Sequence, residues 1–499
     1  MNAFAPIAPG TVPVLPESAP FTAEQRAYLN GFLAGIFSRA PDNATPVAPA
    51  PPAEDFPWHD PALELDERLA LAAGRAPARR MMAAMAQLDC GQCGYLCQTY
   101  AEALADGRES STSLCVPGAK PTQKALKALL AEAPAVVQAA PVVAAKAAHP
   151  VARLLESQRL TGEGSDKDVR RIVLDLSGTG LAYEPGDSLG VEVANDPTLV
   201  DAVMAALAAP DALRDTLMRE RDIARPLDRT LDLLAGAAKN PKEAATLRAM
   251  ADSEDVGPEA PDLLDLLAHF PSARPPVEDL IASLPALKPR LYSIASSPLA
   301  VPGRVELCVG VVRDERHGRM RQGIASNHLA FRAEAVATYV QTSHFRLPPR
   351  AETPVIMIGP GTGIAPFRAF LQHRAALAQT SPAWLFFGDR RSATDFLYRE
   401  EIEAHLTTGT LSRLSLAWSR DGRAKDYVQH RMLEAAPDLW RWLQDGAHVY
   451  VCGDAQRMAK DVDAALRQVA QQQGAMGADA ARDWIVALAR QGRYQRDVY

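Results

Sequence analysis

The residues most suited to chemistry in the first part of the chain are four closely spaced cysteines: Cys90, Cys93, Cys97 and Cys115. The whole chain has only six cysteines in 499 residues, so scattered structural thiols do not explain this group. Thiolates in a short glycine-containing loop with a remote fourth ligand suit a [4Fe-4S] cluster, and Gly91 and Gly94 leave room for it. The spacing therefore predicts a metal–thiolate centre of the iron–sulfur kind.

Two other interpretations of the cysteines remain open. Four thiolates also form tetrahedral zinc sites, although structural zinc sites more often use two Cys-x-x-Cys pairs. A thioredoxin-like redox pair in the sequence CGQC is the second alternative. No strand–helix–strand unit surrounds that pair, and it would leave two further cysteines without a role.

A glycine-rich stretch suited to phosphate binding follows the apolar run PVIMI near residue 355. Gly359, Gly361 and Gly363 allow the backbone to approach a ligand closely, and the following helix start presents unpaired amide donors and a positive dipole end. We therefore expect a pyrophosphate here, with a simple tight turn as the alternative.

Cationic and hydroxyl groups gather after a later predicted strand, in the stretch WSRDGRAKDYVQ. Ser419, Arg420, Lys425 and Tyr427 suit a 2′-phosphate, because phosphate sites combine the fork of an arginine with the point charge of a lysine. This predicts NADPH rather than NADH, and the alternative is an ordinary solvated surface.

The elements that must position these residues are a multidomain α/β fold plus a β-barrel. Period-two alternation broken by turns predicts antiparallel strands after residue 150, and strands alternating with helices predict a doubly wound parallel sheet in the last third. The predicted regions are a flexible Pro/Ala-rich start (1–57) with one amphipathic helix (22–38), a small helical cysteine region (58–118), an Ala/Pro linker (119–150), a barrel domain (151–350) with a helical insertion (about 196–287), and the parallel sheet (351–499).

Composition bounds the class of protein. A formal charge of −7 and 23% charged residues are ordinary for a globular chain and do not indicate nucleic-acid binding. The first residues lack a signal sequence and no apolar run predicts a membrane span, so we expect a cytoplasmic protein. The helix at 22–38 has an apolar face isolated by proline-rich sequence, which predicts docking on another chain, including homo-oligomerisation, or on a later domain.

Six ordered motifs carry a family resemblance: RLYSIASS, GIAS, GPGTGIAPFRAF, FFGDRRSATDFLYREE, YVCGDAQRMAKDV and RYQRDVY. From Val151 to Tyr499 the chain resembles the ferredoxin-NADP reductase superfamily, and within it the flavoprotein (alpha) subunits of NADPH-dependent assimilatory sulfite reductase. The resemblance implies an FAD-binding barrel domain and an NADP-binding domain.

The resemblance also implies residue roles. Contacts to FAD are expected from Arg290, Leu291, Tyr292, Ser293, Cys308, Val309, Gly310, Gly323, Ile324, Ala325, Ser326 and Tyr499. Contacts to NADPH are expected from Gly359, Gly361, Thr362, Gly363, Ser419, Arg420, Lys425, Tyr427, Gln429 and Asp461. For hydride transfer the resemblance implies Ser293, Cys452 and Asp497, with Tyr499 covering the flavin, whereas simple packing is the alternative for Cys452. The chain departs from its relatives at Asp314, where they have an aromatic residue.

The flavodoxin-like domain that usually accompanies such a module is not evident before the barrel, so the cysteines are expected to replace it as a one-electron relay. Their segment resembles the small four-cysteine iron–sulfur domain of corrinoid and electron-transfer proteins, with three residues instead of four between the second and third cysteines. The predicted partner is a siroheme sulfite reductase hemoprotein that reduces sulfite to sulfide. Alternatives are nitrate or nitrite reductase, a ferredoxin, or a zinc-stabilised assembly protein with a vestigial reductase fold.

Overall fold

The computed structural model describes residues 56–59, 63–88, 93, 95–109, 111–115, 117–132, 149–252 and 260–499. Apart from Phe56, the described residues belong to one compact unit, Pro57–Tyr499. The predicted helix at 22–38 and the predicted ligand Cys90 lie outside the described residues. Within the described part, no helix has both the length and the apolar character needed to span a membrane.

In the described residues, the cysteine region contains the helices α1 (Leu65–Leu71), α2 (Pro77–Ala84) and α3 (Cys97–Ala105), and α4 (Ala119–Glu132) follows it. The helices α1 and α2 are separate, because Gly74 adopts a left-handed conformation (φ +75°) between them and Pro77 begins the second helix. Leu126 of α4 is fully buried, so the start of the predicted linker is a packed helix.

An antiparallel barrel follows, as predicted. Its strands are β1 (Val151–Arg159), β2 (Val169–Asp175), β3 (Ser188–Val191), β4 (Arg290–Ser293), β5 (Arg304–Gly310) and β8 (Ala335–Gln341). They pair in the order β4-β3-β8-β1-β2-β5. A bridge between Ile294 and Leu307 joins the two edge strands and closes the sheet. The inward faces of these strands form one hydrophobic core.

A helical insertion separates β3 from β4, also as predicted. It contains α5 (Pro197–Leu207), α6 (Arg214–Arg219), α7 (Asp228–Ala237), α8 (Pro241–Asp252), α9 (Leu263–His269) and α10 (Val277–Ser283). These helices share a core of their own, which includes Val200, Leu234 and Leu280. A hairpin of β6 (Arg313–Arg316) and β7 (Arg319–Gln322) and the helix α11 (Ile324–Asn327) complete the domain.

The last third is a five-stranded parallel sheet in the order β11-β10-β9-β12-β13. Its strands are β9 (Val355–Ile358), β10 (Ala383–Asp389), β11 (Arg413–Trp418), β12 (His448–Gly453) and β13 (Tyr494–Val498). Its helices are α12 (Ala365–Ala376), α13 (Ser392–Asp395), α14 (Arg399–Thr408), α15 (Val428–Glu434), α16 (Ala436–Gln444), α17 (Met458–Gln473) and α18 (Ala478–Arg490). The central strands are buried on both faces, which explains their continuous apolar sequences. The sequence patterns did not indicate α18 or β13.

Candidate functional site

Three predicted residues from distant parts of the chain meet beside the parallel sheet. The Ser293 hydroxyl donates a hydrogen bond to Asp497 Oδ2 at 2.5 Å. The Cys452 thiol lies 3.9 Å from the same oxygen. The structure therefore brings together the three residues that sequence resemblance assigned to one reaction.

Strand register explains how these side chains meet. Cys452 and Asp497 are paired neighbours on the parallel strands β12 and β13. Side chains alternate along a strand, so paired residues of adjacent strands share one face of the sheet. Ser293 is the last residue of β4 and approaches that face from the barrel. The site thus combines one group from the barrel domain with two from the parallel sheet.

Burial controls the protonation of the Asp497 and Cys452 side chains. It raises the pKa of Asp497, while hydrogen bonds from Ser293 and Cys452 act in the opposite direction. Burial, together with the neighbouring negative charge of Asp497, raises the pKa of Cys452 well above its usual value. The cysteine is therefore a neutral thiol near pH 7, suited to donating a weak hydrogen bond and not to nucleophilic attack.

The glycine loop lies directly against this site. The Thr362 and Tyr499 hydroxyls are 2.9 Å apart, which ties the loop to the C-terminal aromatic residue. A side chain at Gly363 would collide with the Cys452 carbonyl oxygen at 2.1 Å, and one at Gly359 would lie 2.4 Å from the Phe367 ring. These two glycines are needed for packing within the protein, whereas Gly361 is needed for its left-handed backbone (φ +58°).

The end of β5 completes the wall of the site. Gly310 faces Thr362 closely enough that an added Cβ would be 3.5 Å from the threonine methyl group. Cys308 and Cys452 belong to one buried hydrophobic cluster, and Val309 is buried in the barrel core. Burial raises the pKa of Cys308 to about 12, so this thiol is also neutral.

Positive charge collects at the start of β4, where FAD diphosphate binding is expected. The Arg290 guanidinium lies 3.5 Å from Asp222 and donates to the Lys288 carbonyl oxygen at 2.6 Å. Burial and the positive charges of Arg290 and Arg316 lower the pKa of Arg225, although the negative charge of Asp222 acts in the opposite direction. Mutually repelling arginines suit a dianionic ligand. Arg225 and Arg316 carry no sequence pattern that identified them.

The other predicted FAD residues lie on β4 and on α11. Leu291 and Tyr292 pair with Gly190 and Leu189 of β3, and burial raises the pKa of Tyr292. The residues Gly323, Ile324, Ala325 and Ser326 form the start of α11. The Ser326 hydroxyl accepts a hydrogen bond from the Val312 N–H at 3.1 Å. The Ser326 side chain is therefore engaged with the segment just before β6. Contacts to an FAD diphosphate from this region would have to come from backbone N–H groups at the start of α11.

The predicted 2′-phosphate residues follow β11 on the surface. Arg420 forms an ion pair of 2.6 Å with Asp166, which also lies 3.6 Å from Arg390. The Ser419 hydroxyl donates to the Asp389 carbonyl oxygen at 3.3 Å. Lys425 and Tyr427 are exposed nearby in sequence. Asp166 comes from the barrel domain and neutralises an arginine that sequence analysis assigned to phosphate.

Gln429 and Asp461, the remaining predicted nucleotide contacts, bind each other. The Gln429 side-chain amide donates to Asp461 Oδ2 at 3.0 Å, which joins α15 to α17.

Three of the four predicted metal ligands line one cavity. Cys93, Cys97 and Cys115 face it, together with apolar and aromatic residues: Met85, Ala86, Leu88, Tyr95, Tyr100 and Pro117. The fourth predicted ligand, Cys90, lies outside the described residues. Among the residues that are described, no group of three or more potential ligands is arranged tightly enough to hold a metal ion.

The chemistry of this cavity suits a metal–thiolate centre. Burial raises the pKa of Cys115, while hydrogen bonds from the backbone of Ala86 and Gly118 and the positive charge of Arg68 favour its thiolate. Amide donors directed at a ligating sulfur stabilise the charge that iron–sulfur clusters bring. The donor types therefore suit an iron–sulfur centre, although the three described cysteines are not at ligating distances from one another. Cys93, Cys97, Cys115 and Cys90 remain the predicted ligands.

Comparison with family models assigns the domains. Residues 143–219 and 207–328 match the family "FAD binding domain", and residues 357–464 match "Oxidoreductase NAD-binding domain". Residues 85–117 match the family described as "Putative Fe-S cluster". The matches confirm the predicted FAD- and nucleotide-binding folds and include all four clustered cysteines.

Curated relatives extend along most of the chain. It is 43% identical over 370 residues to a "Sulfite reductase [NADPH] flavoprotein alpha-component" of Klebsiella pneumoniae, which covers 71% of this chain and 61% of the relative. The protein of the same description from Shewanella sp. is 44% identical over 371 residues, covering 70% and 60%. The chain thus spans 61% and 60% of the length of these two relatives. Through residues 143–464 it combines the FAD-binding and oxidoreductase NAD-binding domains, and it is a relative of the sulfite reductase flavoprotein alpha-components.

Proposed function

We propose that this chain is an NADPH-dependent flavoprotein reductase that passes electrons from FAD, through a cluster bound by Cys90, Cys93, Cys97 and Cys115, to a partner hemoprotein. The observation that carries the proposal is the contact between Ser293 and Asp497, because it joins the FAD-binding barrel to the NAD-binding sheet. A flavin and a nicotinamide bound to these two domains would meet at this contact. FAD supplies acceptance of a hydride and release of single electrons.

The residues themselves suit hydride transfer. A dihydronicotinamide gains positive charge as it gives up hydride, and the buried Asp497 carboxylate is placed to stabilise that charge. Ser293 fixes the orientation of the carboxylate through its 2.5 Å hydrogen bond. Cys452, held neutral by burial, provides a compact wall that does not compete as a nucleophile. Tyr499 is tied to the glycine loop through Thr362 and is proposed to cover the flavin until nicotinamide displaces it.

NADPH is preferred in this proposal because Arg420 and Lys425 lie in the segment after β11, where an arginine and a lysine suit a 2′-phosphate. The relatives' description as NADPH sulfite reductase flavoproteins supports the same choice. It also supports a siroheme sulfite reductase hemoprotein as the partner, which would reduce sulfite to sulfide. The proposed compartment is the cytoplasm, where thiol ligands remain reduced.

The test is anaerobic purification followed by measurement of iron, sulfide, zinc and flavin per chain and by spectra before and after NADPH addition. We expect one FAD, about four irons for a cubane cluster, rapid flavin reduction by NADPH, and slow reduction by NADH. Sulfite reduction on adding the hemoprotein tests the partner, with nitrite reductase and ferredoxin as comparison acceptors. Stoichiometric zinc with no iron and no NADPH oxidation would contradict the proposal and favour a zinc-stabilised assembly protein.

A further inference from the structure

The cysteine segment, meaning the described residues between 63 and 132, makes a polar contact with the helical insertion of the FAD-binding domain. The buried Gln123 side chain donates to Asp228 Oδ2 at 2.7 Å, and Lys120 Nζ lies 3.8 Å from the same oxygen. Asp228 is the first residue of α7, and an acidic residue in the first turn of a helix is favourable there. This contact joins α4 to the insertion.

A second contact leads toward the flavin strand. Lys288 Nζ lies over the Tyr95 ring, 4.6 Å from its centroid. Tyr95 lines the cysteine cavity and stacks on Tyr100, another residue of the cavity wall, at 5.5 Å. The backbone carbonyl of Lys288 accepts the hydrogen bond from Arg290. The wall of the cavity therefore touches the segment that begins β4.

A third set of contacts reaches the NAD-binding domain. Arg482 of α18 forms an ion pair of 2.8 Å with Glu67 of α1. Leu88, which lines the cysteine cavity, packs against the core of the parallel sheet. The segment is consequently held from two sides, by the insertion and by the sheet.

We propose that the cysteine segment is docked in this position, and that its docking sets the distance between the cysteine-bound centre and the flavin of the same chain. This inference rests on the proposed function for the identity of both groups. The sequence of the predicted linker (119–150) allows two arrangements: a mobile tether that lets the cysteine segment swing, and a helix that docks it in one place. The burial of Leu126 and the contacts at Asp228, Lys288 and Arg482 favour the docked arrangement.

Docking would give electrons a short path between the cysteine-bound centre and the flavin. The Cα atoms of Lys288 and Ser293 are at most about 18 Å apart, because five extended residues span no more than that. Lys288 touches the cavity wall and Ser293 belongs to the site between the two domains. A fixed, short separation removes the need for a diffusive search before each electron transfer. In that transfer a reduced flavin would give up one electron, and an iron–sulfur centre held by the cysteines would take it up as one ferric ion became ferrous.

Docking is tested first by a zero-length carbodiimide cross-link in the full chain. Lys120 and Asp228 are close enough to form an amide, so peptide mapping should recover that pair. Lys120→Arg keeps the charge but cannot form the amide, and it should remove the cross-linked peptide. Absence of the peptide from the wild-type protein would overturn docking, whether or not the protein contains iron.

The electron path is tested by stopped-flow spectroscopy of the iron-loaded protein with Asp228→Lys and Arg482→Glu combined. We expect flavin reduction by NADPH to remain within about twofold, and reduction of the centre to slow by about tenfold or more, while dithionite still reduces it fully. Adding Glu67→Arg should restore part of the rate by re-forming the ion pair. Asp215→Lys, on an exposed residue of the same insertion, is the control.

The outcomes separate the two proposals. Reduction of the centre at the wild-type rate in the combined variant would overturn the role of docking while leaving the proposed function intact. A centre that dithionite reduces but NADPH does not, in the wild-type protein, would overturn the electron path as well. A protein without iron would refute the proposed function, and the cross-link would still decide docking.

Discussion

Removal of the Ser293 hydroxyl should slow flavin reduction by NADPH. The bond from Ser293 to Asp497 Oδ2 is 2.5 Å long, and the other contact to that oxygen, from Cys452, is 3.9 Å long. A hydrogen bond to a charged group contributes about 1.5–3 kcal/mol. If that bond is needed to orient the carboxylate in the transition state, Ser293→Ala should lower the rate by about 10- to 150-fold.

The pH dependence of the same variant gives an independent readout. The Ser293 hydrogen bond lowers the pKa of Asp497, so its removal should raise that pKa further. If the ionised carboxylate is the active form, the acidic limb of the rate profile should move to higher pH in Ser293→Ala. The limb should disappear in Asp497→Asn, which does not titrate.

The assay is single-turnover flavin bleaching in a stopped-flow instrument between pH 5 and 9. Ser296→Ala is the matched control, because its buried hydroxyl lies three residues further along and contacts Tyr183 at 2.8 Å instead of Asp497. A rate within twofold of the wild type, with an unshifted acidic limb, would refute the assigned role of the Ser293 hydroxyl.

Three further predictions concern other parts of the molecule. Cys115→Ala should lower bound iron per chain, measured by metal analysis, because Cys115 faces the cavity shared with two other cysteines. Asp166→Asn should tighten NADP⁺ binding about two- to fourfold in calorimetry and leave NAD⁺ unchanged, because an exposed ion pair with Arg420 is worth up to about 1 kcal/mol. Burial lowers the pKa of His328 to about 4, so below pH 6.5 the unfolded chain binds a proton more readily than the folded protein does. The free energy of unfolding should therefore fall as the pH drops from about 6.5 toward 4. After allowance for its partial exposure, His328→Gln should remove about 1–2 kcal/mol of that acid destabilisation in denaturant titrations.

Each has an outcome that contradicts it. Unchanged iron in Cys115→Ala would exclude this cysteine as a ligand. Equal effects of Asp166→Asn and Asp168→Asn would show that the Arg420 pair does not oppose phosphate, since Asp168 pairs with Arg170 instead. Parallel stability profiles of wild type and His328→Gln between pH 7 and 5 would exclude the buried histidine as their cause.

The central strands and the helical insertion could be predicted from the sequence because their apolar patterns are strong and local. The apolar run of β9, for example, is buried at every position. The terminal strand β13 has only Tyr494 and Val498 buried, with three partly exposed polar residues between them, so no pattern marks it. Its strand conformation depends on pairing with β12, which is a tertiary effect.

The candidate site was recognised in a similarly uneven way. Motifs identified Ser293, Cys452 and Asp497, and the structure brings them together. The arginine group at Arg225 and the pairing of Asp166 with Arg420 depend on loops from separate regions and leave no local pattern. For the glycine loop, sequence identified the residues, but two of them are required by contacts with Phe367 and Cys452.

The division of the site between two domains has a consequence for inheritance. Ser293 and Asp497 are separated by 204 positions and belong to different domains, yet they share one hydrogen bond. Recombination that exchanges either domain with a divergent relative would place an unmatched partner across that bond. Gene fusions and domain swaps in this lineage should therefore preserve the barrel and the parallel sheet as one heritable block.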